Sequence, residues 1–523
     1  MTGRFVTQIL RVAGVGHGRS NARDLLLAAL SGVLLVLTFP TAELWPVAFV
    51  ALVPVLIALR GLGWRAAAGL GFVAGLVFFV GSLYWVVPTV VRYGGLSWVA
   101  ATGVLLLLAG FLALYFAGFS AGVAVLRHRG VAFVLSTAAL WVAFELLRSH
   151  LFTGFPWNLL GYSQYQNLTI IQIAALTGVY GVSFIVAGVN AAIADVLAAR
   201  DGWRRAVGSL ATAGLLAGGA LAYGWAAPDR VAPPTIRVAL LQGNFSQGIK
   251  WNAAFQDETM RVYRDLTLAQ ADFRPDLIVW PETAAPFFLR HDPLRSKVEG
   301  LAAKVGAPLL VGSPDWDGEQ PHRYTNSAFL IIPEKGIAAK YDKVHLVPFG
   351  EYVPLKRILF FVNKLTQGAI GDFSPGTEFT VFSIPAGRFG VTISYEIYFP
   401  HEVRRYVMDG AEFLVNVTND AWYGKSAAPY QHVAMVVFRA VENGRYLVRA
   451  ANTGISAVVA PDGRIVASSG LFERTALTGM ISAITEVTPY SRYGDLFGWA
   501  TTSAVGIVLL SVGASRVIEG YQA

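Results

Sequence analysis

Seven apolar stretches follow one another in the first half of the chain, near residues 24–39, 44–60, 66–88, 97–126, 131–148, 169–199 and 204–226, and an eighth lies near 496–515. A helix needs about 20 mostly apolar residues to cross the hydrocarbon core of a bilayer. The pattern therefore predicts a polytopic α-helical membrane bundle of about eight spans. The first two stretches are short and separated only by Pro40-Thr41-Ala42-Glu43, which suits a tight hairpin. Charged residues make up 14% of the 523, and mean hydropathy is +0.52. Soluble chains carry about 25% charged residues, so much of this chain faces lipid.

Basic residues give an orientation, because cytoplasmic connections accumulate Lys and Arg. Arg4 to Arg23, then Arg60 and Arg65, then Arg127 and Arg129, then Arg200, Arg204 and Arg205 occupy alternate connections, and the opposite set holds only Arg92 and Arg148. This places the N-terminus in the cytoplasm and leads the chain out at about residue 227. Arg516 returns the C-terminus to the inside. Three segments follow: a transmembrane bundle of about seven spans over 1–227, an extracytoplasmic domain over 228–490, and a final span with a short cytoplasmic tail over 491–523. A miscount by one span would invert the middle block and violate the charge bias at four connections. The apolar run after Arg23 is followed by others, so it reads as a retained first span rather than a cleaved signal.

The net charge of +8 is spread along the chain without a polybasic run or zinc-finger spacing, which argues against a nucleic-acid partner. There is no cysteine, hence no disulfide or thiolate metal site, and the histidines show no paired ligand spacing.

Texture changes after Pro228 and Pro233-Pro234. Apolar runs at 235–241, 276–280, 308–312, 327–332, 389–393 and 412–417 read as strands, each closed by polar residues. Helical stretches lie at 252–271, 293–305 and 431–442. Buried strands alternating with amphipathic helices predict a layered α/β domain, and such folds put chemistry at strand ends. Three candidates sit there. Glu282 in Trp280-Pro281-Glu282 is either a surface carboxylate or a general base on a rigid turn. Lys343, in Tyr341-Asp342-Lys343-Val344-His345, is either exposed or a desolvated ammonium able to stabilise an oxyanion. Ser394 closes Gly390-Val-Thr-Ile-Ser394 and is either a core hydroxyl or a nucleophile position. It is not an α/β-hydrolase elbow, because Thr392 and Glu396 stand where that motif needs glycine. A Ser-His-Asp triad using His401 or His432 has no local signature. Asp462-Gly463 reads as a hairpin turn.

Together the three segments, with Arg439 to Gly463, resemble the nitrilase superfamily, whose members carry a Glu-Lys-Cys triad on an α-β-β-α sandwich. Such a domain between a multispan bundle and one last span resembles, more narrowly, the apolipoprotein N-acyltransferases of the bacterial envelope. Thr153-Gly-Phe-Pro-Trp157, Asn419-Asp-Ala-Trp422-Tyr-Gly-Lys-Ser426 and Val487-Thr-Pro-Tyr490 agree. The resemblance implies a multi-pass protein of the inner membrane with its catalytic domain on the periplasmic side. It implies transfer of an acyl chain from a phospholipid, through an acyl-enzyme, to the α-amino group of a diacylglyceryl-cysteine on an apolipoprotein, with no cofactor. Glu282 matches the base, Lys343 the oxyanion-stabilising lysine and Ser394 the nucleophile. Trp251, Glu351, Tyr395, Glu396 and Trp422 match further positions that support activity. The amphipathic stretch 354–371 suits an interfacial lid or a packed surface helix.

One departure stands out. The family nucleophile is cysteine and this chain has serine there, so the expectation is a Cys-to-Ser form, engineered or natural, that is inactive or slowed. Two other readings remain at this level: a membrane-anchored nitrilase-type amidase, and a catalytically silent scaffold for a membrane glycosyltransferase.

Overall fold

The computed structural model describes residues 20–198, 202–227, 233–247, 255–316, 323–353 and 373–522. Two compact units emerge: one of Met1–Val87, Thr102–Ala227 and Asp495–Ala523, the other of Pro88–Ala101 with Pro228–Gly494.

Among the described residues six helices are long and apolar enough to cross a membrane: Trp64–Ser82, Trp98–Leu126, Val131–His150, Val179–Leu197, Trp203–Ala226 and Leu496–Ser515. The other two expected spans take different forms. Ala22–Leu37 is helical over 16 residues. The next stretch divides into a 3₁₀ turn, Trp45–Phe49, and a short helix, Val53–Ala58, because Pro46 and Pro54 can only begin a helix. Close helix approach in the first unit relies on small residues. A Cβ on Gly32 would lie 2.6 Å from the Ala74 carbonyl oxygen, and one on Gly71 would collide with Phe116 and Ser120. Two buried polar side chains inside this unit are paired, as a membrane interior favours. Asn190 accepts from Leu52 N–H and donates to the Ala48 carbonyl, both at 2.8 Å. Asp195 accepts from Arg205, from Ser209 Oγ at 2.8 Å and from Gly130 N–H at 3.1 Å.

The second unit is built on two six-stranded sheets. Its strands are β1 (Ile236–Gln242), β2 (Leu277–Val279), β3 (Leu309–Trp316), β4 (Tyr324–Ile332), β5 (Gly336–Asp342), β6 (Val381–Ile384), β7 (Gly387–Ile393), β8 (Phe413–Thr418), β9 (Leu447–Ala451), β10 (Ala457–Val459), β11 (Ile465–Ser468) and β12 (Thr475–Ile481). One sheet runs β12-β1-β2-β3-β4-β5 and the other β11-β10-β9-β8-β7-β6. Each keeps three parallel strands at its centre, β1-β2-β3 and β7-β8-β9, with antiparallel strands outside. The sheets face each other through β1 and β9 and through β4 and β7. Helices Gln256–Leu268 and Arg295–Val305 cover the first sheet around Trp280, Tyr263, Leu301 and Phe329. Pro400–Met408 and Ala428–Asn443 cover the second. This is an α-β-β-α sandwich.

Parallel register decides where polar residues gather. Ile393 pairs with Val417, and Thr418 with Ala451, so the carboxyl ends of β7, β8 and β9 lie side by side. The residues just beyond them, Ser394, Asp420 and Asn452, are brought to one end of the sheet.

Candidate active site

Glu282 stands three residues beyond β2 on a turn whose next residue, Thr283, has φ of 50°. The turn presses on β3 so closely that a Cβ on Gly312 would meet the Pro281 carbonyl and lie 2.8 Å from the Glu282 Cα. Glycine at 312 is what lets the carboxylate sit there. Glu282 is buried, 8% exposed, and accepts from Asn326 Nδ2 of β4 at 2.7 Å. The same amide nitrogen donates to Glu351 Oε1 at 3.0 Å. Lys343 follows β5, its N–H bonded to the Asn326 carbonyl at 2.8 Å. Its ammonium is 1% exposed, 2.9 Å from Glu351 and 3.9 Å from Glu282. Burial works against that charge, but Glu351, Glu282 and Glu396 together outweigh it and raise the lysine pKa. Glu351 is fixed further by Val347 N–H at 2.7 Å. Two carboxylates thus share one ammonium and one amide, leaving an acceptor and a cation side by side, as general-base chemistry with oxyanion stabilisation requires.

Ser394 opens a 3₁₀ turn, Ser394–Tyr398, immediately after β7, with φ of 53°. A side-chain-bearing residue in the left-handed region costs about 1–2 kcal/mol, and such strain collects at functional positions. The turn is tied to the Lys343 segment by Glu396. Its carboxylate accepts from Tyr341 OH at 2.6 Å, Val344 N–H at 2.7 Å, His345 N–H at 3.1 Å and Ile393 N–H at 2.7 Å. Burial pushes this carboxyl up to about 7 against the pull of those donors and of Lys343. The segment around Lys343 and the turn carrying Ser394 are therefore held by one buried group.

Comparison with known proteins identifies the family. The apolipoprotein N-acyltransferase N-terminal domain model matches residues 31–192, and the carbon-nitrogen hydrolase model matches 237–489. An apolipoprotein N-acyltransferase of Geobacter metallireducens is 44% identical over 496 residues, covering 93% of this chain and 94% of that one. The chain belongs to the apolipoprotein N-acyltransferase family. A second apolipoprotein N-acyltransferase, from Methylococcus capsulatus, is 36% identical and covers 90% of this chain and 93% of its own. Among solved structures, an amidase from Nesterenkonia sp. overlays on 49% of this chain and 93% of its own, at 21% identity and a TM-score of 0.38.

Within this family member the remaining expected positions divide. Tyr395 is buried, edge-on to Tyr398 and Phe399 at 5.0 Å and near the His345 ring at 5.5 Å. Trp422 is 37% exposed and packs edge-on against Tyr93 at 4.8 Å, while Thr89 and Tyr93 donate to the Trp422 and Ala421 carbonyls. Trp251 and the stretch 354–371 lie outside the described residues. Sequence reasoning missed Asn326, although a polar residue within an apolar strand was the available signal. It also missed the buried network of Asp420, His432 and Arg449, in which Arg449 Nη2 lies 2.6 Å from Asp420 Oδ2 and 3.0 Å from His432 Nδ1. Burial opposes the Asp420 charge, but the Arg449 guanidinium beside it holds its carboxyl well below the usual range.

Proposed function

We propose that this chain N-acylates apolipoproteins in the bacterial inner membrane, with the Pro228–Gly494 domain on the periplasmic side. The acyl donor is a membrane phospholipid, and the acceptor is the free α-amino group of a diacylglyceryl-modified cysteine. In the first step the side chain of residue 394 attacks the ester carbonyl of the donor while Glu282 takes its proton. Lys343 stabilises the resulting oxyanion. The intermediate collapses, and the lysophospholipid alkoxide leaves with the proton that Glu282 returns. The acceptor amine then attacks the acyl-enzyme, Glu282 accepts the amine proton, and residue 394 leaves and recovers it. Splitting the transfer lets two bulky lipids use one site in turn.

One observation carries this reading: in a member of this family, the Lys343 ammonium is buried 2.9 Å from Glu351 and 3.9 Å from Glu282, charged and ready for an anion. Glu396, which links Lys343 to the Ser394 turn, supports residue 394 as the attacking position. Alternating basic connections support the orientation.

Serine at 394 stands where the family carries cysteine, and it slows the first step. A thiol has an unperturbed pKa of about 8.5 and glutamate about 4.3. An alcohol is a far weaker acid than a thiol, which leaves a glutamate base with too little driving force. Intact mass spectrometry of the Ser394→Cys protein incubated with phospholipid tests the scheme. One acyl chain is expected on residue 394 and is expected to move to a lipopeptide with a free α-amine, while the serine form gives less than about a tenth of that rate. No mass gain in the cysteine form would refute it.

A further inference from the structure

His432 lies on the Ala428–Asn443 helix with 0% of its surface exposed, and the acyl-transfer scheme makes no use of it. Its Nδ1 is 3.0 Å from Arg449 Nη2 and 3.3 Å from Asp420 Oδ1. A guanidinium only donates, so Nδ1 accepts and the ring proton resides on Nε2. The opposite tautomer would turn Nδ1–H toward Asp420 Oδ1 at 3.3 Å but set it against the nearer guanidinium N–H at 3.0 Å. Burial, with Arg449 alongside, pushes the imidazole down to about 4, so the ring is neutral at physiological pH. Arg449 is itself fixed, donating to Asn416 Oδ1 at 2.6 Å and to the Ile455 carbonyl at 3.1 Å. The nearer partner, a rigid cation, therefore favours the Nε2–H tautomer over the one that Asp420 would take.

Nε2–H is buried and, among the described residues, forms no short, well-aligned hydrogen bond. It faces the main-chain carbonyl of Ser394. The His432 ring also lies edge-on to Tyr398, at the far end of the 3₁₀ turn, at 4.5 Å. A peptide group is planar and trans, so the Ser394 carbonyl and the Tyr395 N–H point in opposite directions from one rigid plate. Whatever holds that carbonyl sets the direction of the N–H and fixes ψ of Ser394, next to its strained φ of 53°. Glu396 grips the turn from the β5 side, and His432 faces it from the side of the Ala428–Asn443 helix.

We propose that His432 is a positioning residue for acyl transfer: its Nε2–H orients the 394–395 peptide plane and thereby the attacking side chain at 394. The proposal rests on residue 394 being the nucleophile position. A merely space-filling histidine would need no particular nitrogen, and that difference is measurable.

In the full-length Ser394→Cys protein, His432→Gln keeps an amide N–H near the Nε2 position, whereas His432→Asn reaches only the Nδ1 position. The acylation rate with phospholipid is expected to fall about 100-fold in His432→Asn, the scale of a 1 Å misplacement. It is expected to stay within about fivefold in His432→Gln, with KM for the phospholipid changed less than about threefold in both. Alkylation of the introduced thiol by iodoacetamide should follow the same order, and thermal midpoints identify any variant that fails to fold. Equal rates for the Asn and Gln variants, by acylation and by alkylation, would overturn the proposal. If the parent itself forms no acyl-enzyme, the acyl-transfer reading fails, and the alkylation rates still decide the role of His432.

Discussion

Replacing Asn326 with leucine removes one amide and little volume. Its Nδ2 donates to Glu282 at 2.7 Å and to Glu351 at 3.0 Å, and the residue is 6% exposed. Glu351 retains Lys343 at 2.9 Å and Val347 N–H at 2.7 Å, so its position survives. Glu282 keeps the Lys343 ammonium at 3.9 Å but loses its short charge-assisted bond to the amide. Hydrogen bonds to charged groups contribute about 1.5–3 kcal/mol. At 1.36 kcal/mol per decade, the acylation step should slow about 10- to 150-fold if Glu282 must be held in place for it. The loss belongs in kcat, because Asn326 orients the base rather than the lipid. Stopped incubations of the Ser394→Cys protein and its Asn326→Leu derivative with phospholipid, followed by intact mass, measure this directly. A rate within threefold of the parent would show that Glu282 does not depend on the amide, and the proposed division of labour between Glu282 and Glu351 would fall.

Three further expectations follow from the same geometry. Lys343→Met strands Glu282 and Glu351 beside each other in a buried site; breaking such a pair costs about 3–5 kcal/mol, so both activity and the thermal midpoint should drop, and an unchanged midpoint would argue against a buried pair. Gly312→Ala places a methyl group against the Pro281 carbonyl, and such overpacking costs about 1–3 kcal/mol; acylation should fall with Glu282 displaced, which a fully active variant would contradict. Glu396 holds its proton up to about pH 7 when folded and only to about 4.3 when unfolded. Its contribution to stability is thus complete below about pH 4.3 and is lost as pH rises to about 7, a change of about 3–4 kcal/mol. In Glu396→Gln that segment of the stability–pH curve should flatten relative to the parent, and curves that remain parallel across the range would refute the assignment.

Local sequence patterns carried a great deal of this molecule. Strands β1 to β4, β7 and β8 were legible because each is an apolar run closed by a polar residue. β5 was not, since Gly336-Ile-Ala-Ala-Lys340 is half-exposed and lacks such a run. β11 and β12 are exposed outer strands with mixed faces. β9 hides Arg449 in its middle, a charge that local reasoning places outside a core and that Asp420, Asn416, His432 and the Ile455 carbonyl make tolerable. In the first unit hydropathy marked the apolar stretches, but Pro46 and Pro54 broke one that composition alone presented as continuous, and the stretch 169–199 divides into Leu168–Ile171, Ala174–Thr177 and Val179–Leu197.

The chain by itself determined that two kinds of structure must coexist, and which strand ends would hold a carboxylate and a hydroxyl, because apolar periodicity and strand-closing polar residues are local properties; Lys343 was marked by its aromatic and apolar neighbours, not by a legible strand. Which of these would meet was decided only by tertiary structure. Glu282, Asn326, Lys343 and Glu351 come from three strand ends and a loop, and their approach depends on sheet order β2-β3-β4-β5 and on a glycine at 312 thin enough to let the Glu282 turn close. The tautomer of His432 likewise depends on Arg449 arriving from another strand. Distances between residues remote in sequence are products of packing, and packing is where their charges, protons and directions are settled.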